Sequence, residues 1–128
     1  MKQASVLLFA VMTLHACDYR VPSKKIFEEA CGVKIPESYS VLEDKDHGKG
    51  DNRGIEYTVQ LQGNSRKEFT ESINNSPYYL YPDSPTDTGW KMKGVGYQFH
   101  RTMEGVAYRA QFDTAKGVVS FRKDVNDK

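Results

Sequence analysis

Two cysteines, one tryptophan and five prolines are spread over 128 residues, and the longest apolar run is eleven residues. Each shortage removes a class of protein. Two thiols cannot build the disulfide framework of a small secreted scaffold. Eleven apolar residues cannot cross a hydrocarbon core of about 30 Å as a helix. Eighteen Lys and Arg against 17 Asp and Glu leave a net charge of +1, so there is no cationic excess to displace counterions from nucleic acid and no polybasic patch for an anionic membrane. The chain has no phosphate loop, zinc cluster or nucleophile elbow, and neither His47 nor His100 stands at a diagnostic spacing from a Cys or Ser. The expectation is a protein that is not an enzyme, with no catalytic residue, no metal and no cofactor.

What is present begins at the N-terminus. Lys2 supplies one positive charge, Ala4 to Leu14 is the apolar run, and Leu14-His15-Ala16-Cys17 closes it. That order, Leu, any residue, a small residue and Cys, resembles the lipobox of bacterial lipoproteins. The resemblance implies a signal peptide over residues 1–16, acylation of Cys17, a lipidated tether over 17–22 and a bacterial envelope address facing the periplasm. Each buried methylene contributes about 0.8 kcal/mol, so two or more acyl chains anchor stably without a spanning helix. Asp18 resembles the inner-membrane retention signal of some lipoproteins and favours that membrane over the outer one. Without Lys2 the remainder carries 17 basic and 17 acidic residues, which implies no electrostatic partner and no nucleic acid. If Cys17 is lipidated, Cys31 packs as a small apolar residue; if it is not, a Cys17–Cys31 disulfide follows.

Residues 23–125 suit one α+β domain. Ser23 is placed to N-cap a helix whose Ile26, Phe27, Ala30 and Cys31 share a side, and Gly32 ends it. Residues 39–43 form a strand, and 44–54 a charged loop with three glycines. Ile55, Tyr57, Val59 and Leu61 then alternate with polar residues, the period of a half-buried strand. Ser65 and Glu68 have the spacing of a capping box for a second helix carrying Phe69 and Ile73, which Asn74-Asn75-Ser76-Pro77 stops. That stop contains a chance glycosylation sequon. Trp90 to Phe99 is one extended stretch with a bulge or kink at Gly94; strands at 106–112 and 118–122 follow, joined by turns at 103–105 and 113–117. The expected order is α-β-β-α-β-β-β: an antiparallel sheet of about five strands with two short helices on its apolar face.

Two segments invite function. Asp44 and Asp46 match the first ligands of a calcium loop, but Gly48, Lys49 and Ile55 occupy positions that need other residues. A nonstandard site from Asp44, Asp46, His47 and Asp51 remains as an alternative to a solvated loop. Tyr78, Tyr79 and Tyr81, with Trp90 close behind, combine apolar area, few rotatable bonds and a polar tip, which suits partner binding; the competing reading has them cap the core. The expected function is a lipid-anchored protein-binding module, in the manner of an inhibitor or immunity protein against an envelope enzyme or toxin. Alternatives are a small-ligand or metal-binding envelope sensor and an envelope assembly or scaffold lipoprotein.

Overall fold

Ile55, Tyr57, Val59 and Leu61 are all buried, and the alternation that carries them makes the second strand of a six-stranded antiparallel sheet. The computed structural model describes residues 21–48, 53–81 and 84–125. The leader, Cys17, Asp18 and Asp51 lie outside the described residues. In chain order the elements are α1 (Ser23–Cys31), β1 (Tyr39–His47), β2 (Gly54–Leu61), α2 (Ser65–Asn74), β3 (Gly89–Lys93), β4 (Gly96–Met103), β5 (Val106–Asp113) and β6 (Val118–Val125). Their order across the sheet is β1-β2-β6-β5-β4-β3, so β6 returns between two hairpin arms to pair with β2.

The strand count corrects the expectation of about five strands. Trp90 to Phe99 is a tight hairpin, with Trp90 opposite Phe99 and Lys93 opposite Gly96, where one bulged strand was expected. Gly94 has φ 59° at the first of the two central turn positions, the place that glycine takes in a type II′ connection. A single break in alternation at a glycine is compatible with a bulge or a reversal; only pairing decides between them. The order is therefore α-β-β-α-β-β-β-β, with six strands and a mostly β character.

The hairpin of β1 and β2 is also longer than expected, because residues 44–47 pair with 54–57. Between Val41 and Glu43 the register slips, leaving Leu42 as an extra, exposed residue. One extra residue reverses which face each later side chain takes. Glu43 consequently lies opposite Thr58 on the side away from the helices, while Asp44 and Asp46 lie opposite Tyr57 and Ile55 on the core side.

Both helices pack on that core side. Phe27 of α1 meets Phe121 with ring centroids 4.9 Å apart, and Phe69 of α2 meets Phe112 at 5.0 Å, edge to face. Neither helix begins as expected. Pro22 holds the extended N-cap position of α1, and Ser23, inside the first turn, donates its hydroxyl to Asp44 Oδ1 at 2.7 Å. Asn64 precedes α2 with no side-chain cap, so the Ser65–Glu68 box does not form; Ser65 is buried and Glu68 lies in the first turn, where the helix dipole favours an acid. The C-terminus of α1 does follow the glycine rule: Gly32 is left-handed at φ 65° and its N–H reaches the Glu28 carbonyl at 3.0 Å.

Candidate functional site

The four aromatic residues singled out from sequence do different jobs. Trp90 is completely buried between Phe69 and Phe99, and its indole Nε1–H donates to the Cys31 carbonyl at 2.8 Å. It has no surface to offer a partner. Tyr78 is half-buried against Phe99, with the Arg101 guanidinium 4.5 Å above its ring. Tyr79 is half-buried too, while Tyr81 is 71% exposed and meets Tyr79 edge to face at 6.0 Å. The main chain of this segment runs beside β3, with Leu80 N–H donating to the Trp90 carbonyl at 2.9 Å and Trp90 N–H to the Tyr78 carbonyl at 2.8 Å. Residues 78–80 thus cover part of a sheet edge that would otherwise present unpaired amides.

The acidic hairpin is engaged elsewhere. Asp44 receives the Ser23 hydroxyl, Asp46 faces the buried Arg53 at 3.7 Å, and His47 lies 3.3 Å from Glu56. Arg53 also bonds the Val21 carbonyl. These side chains fasten the start of α1 to the β1–β2 hairpin. Among the described residues no group of three His, Cys, Asp or Glu side chains converges as a metal cage would require.

Cys31 closes α1 in the core, where it is a free thiol. Burial pushes its ionisation far above the ordinary thiol range, against a smaller opposing effect from Arg101. A thiol kept neutral is a poor nucleophile. In a Cys17→Ser background, iodoacetamide at pH 8 is expected to leave the native protein unlabelled and to label it in urea; fast native labelling would show an accessible thiolate. The same burial sets a direction for stability. Its contribution is complete below the unfolded thiol's value of about 8.5 and is lost as pH rises toward the higher folded value. Unfolding free energy should fall through that window, and Cys31→Ala should flatten the first part of the fall.

The remaining surface is the sheet face turned away from both helices. Register builds it in rows. Glu56, Arg122, Arg109 and His100 stand side by side on β2, β6, β5 and β4, and the next row is Thr58, Ser120, Gln111 and Gln98. Together with Glu43 they line an open hollow of about 560 Å³. A second hollow of about 450 Å³ shares Gln98 and His100 and extends to Lys91 and Lys93 on β3. Lys45 lies 3.3 Å from Glu43, and Arg122 Nε donates to both Asp124 oxygens at 2.9 and 3.1 Å, which holds the guanidinium more firmly protonated. Sequence reading passed over these residues as the wet half of an alternation. The signal that could have found them was the turn at 113–117, which sets the β5–β6 register and with it the Arg109–Arg122 pair.

No known protein family, curated protein or solved structure matches the chain.

Proposed function

We propose that the chain is a lipid-anchored, noncatalytic protein-binding module of the bacterial envelope, with the uncovered face of its sheet as the binding surface. The order Leu14-His15-Ala16-Cys17 behind an eleven-residue apolar run supports the address. One observation carries the binding role. The helices cover a single face of the sheet, and the opposite face holds a hollow whose central guanidinium, Arg109, makes no side-chain bond among the described residues. Tyr81, exposed at the β3 edge, adds an aromatic anchor of the kind that dominates protein interfaces. Blocking an envelope enzyme or toxin, as an inhibitor or immunity protein does, is the role such a surface suits.

Two measurements test this reading. Mass spectrometry of the protein from bacterial membranes should find acyl chains on an N-terminal Cys17, and Cys17→Ser should move the protein out of the membrane fraction. An unmodified sulfur behind an intact leader would end the anchoring. A photo-crosslinking side chain at Gln111 should give one discrete product with an envelope protein, while the same group at Lys67, exposed on α2, should give none. Equal labelling from both positions would remove the open face as the binding surface.

A further inference from the structure

Arg109 and Arg122 are direct cross-strand partners on β5 and β6, and His100 is the cross-strand partner of Arg109 on β4. Like charges directly opposite each other in a sheet are destabilising. Alternating register could have placed an acid at either position, as it does at Glu56 beside Arg122. The domain thus keeps two guanidinium groups side by side at the centre of its open face. The surrounding acids hold Arg122, through Asp124 and the neighbouring Glu56, and leave Arg109 without a partner among the described residues. Glu56 is engaged with His47, Glu43 with Lys45, and Asp124 with the Nε of Arg122. Asp87 lies toward the β3 edge, bonded to Lys91 at 2.8 Å. Asp113 receives the Lys116 N–H at 3.0 Å in its own turn.

The next row supplies a different chemistry. Thr58, Ser120, Gln111 and Gln98 are hydroxyl and amide side chains, and none bonds another among the described residues. Such a row presents donors and acceptors to a polypeptide laid across the strands, while the cationic row beside it presents planar forks suited to carboxylates.

We infer that the partner reaches this face through a carboxylate-rich segment of its own chain, seated on Arg109 between Arg122 and His100. The inference rests on the open face being the binding surface, and it adds the chemistry of what is bound. An acidic occupant offsets the charge of Arg109 beside Arg122 and gives Arg109 a charge-assisted hydrogen bond of the kind Arg122 already makes with Asp124. A basic or purely apolar segment would leave Arg109 without a partner under a desolvating cover.

The test uses the full-length protein purified in a nonionic detergent and a fluorescein-labelled hexaglutamate peptide, read by fluorescence polarisation. Hexaglutamate should bind saturably and hexaglutamine should not. Arg109→Gln should weaken hexaglutamate binding by about tenfold or more, the loss expected when a charge-assisted pair is removed. Lys67→Gln should leave it unchanged, and rising salt should weaken it. Arg109→Gln removes a repulsive cross-strand neighbour, so its fold should be at least as stable, which a urea titration checks. No hexaglutamate binding, or binding indifferent to Arg109→Gln, overturns the inference. So does Arg109-dependent binding of inorganic phosphate where the peptide fails, which would make the site one for small anions. If the Gln111 crosslink persists while hexaglutamate does not bind, the acidic occupant is wrong and the open face stands. If the crosslink is also lost, both readings fall.

Discussion

Replacing Trp90 by alanine is expected to cost about 3–5 kcal/mol, the range for deleting a large buried ring, and so to remove much of a domain stability of about 5–15 kcal/mol. The reason is its position. The side chain has no exposed surface, meets Phe69 and Phe99 at centroid distances of 6.3 and 5.2 Å, and ties β3 to the end of α1 through the Cys31 carbonyl. Trp90→Phe separates the contributions. It keeps most of the ring area and loses the hydrogen bond, and the carbonyl keeps the Ser76 hydroxyl at 3.2 Å, so a loss of about 1–3 kcal/mol is expected. Urea unfolding followed by circular dichroism measures both. A midpoint shift for Trp90→Ala no larger than that of an ordinary surface substitution, about 0.5 kcal/mol, would mean that this residue is not in the core.

The second large effect is expected at Gly89. Its φ of 133° is a conformation that side chains rarely adopt, and a Cβ there would run into the Tyr78 carbonyl oxygen. Gly89→Ala therefore combines backbone strain with overpacking, together roughly 2–5 kcal/mol. Relief is available if residues 78–81 move off the edge of β3, which would break the bonds of Leu80 and Trp90 to their partners. Unfolding followed by the emission of Trp90 gives the energy, and hydrogen exchange at the Leu80 and Trp90 amides gives the route. Protection that stays at the wild-type level would show that the tyrosine segment is not held by this contact.

Individual elements were legible because periodicity reports burial. The alternation from Ile55 to Leu61 marks β2, and the spacing of Phe27 and Cys31 marks the buried side of α1. What was not legible has particular causes. Asp44 and Asp46 occupy core-side positions of β1 as polar groups bonded to Ser23 and facing Arg53, so charge in that segment reads as loop. Ser23 and Ser65 carry the residue type of a cap, but each lies one position inside its helix. Aromatic composition groups Trp90 with three tyrosines, although whether a ring points into the core depends on pairing across the chain. The open face was the least visible, since Arg109 and Arg122 become neighbours only when two strands meet in register.

The clasp at Arg53 has a mechanical corollary. Its side chain holds the Val21 carbonyl and lies immediately before β2, a strand paired on both sides. A tug on the chain upstream of residue 21 is passed across that bond into the middle of the hydrogen-bonded ladder, and it bypasses the first turn of α1. Loaded from that end, the domain would hang by its second strand, and its first helix would go slack.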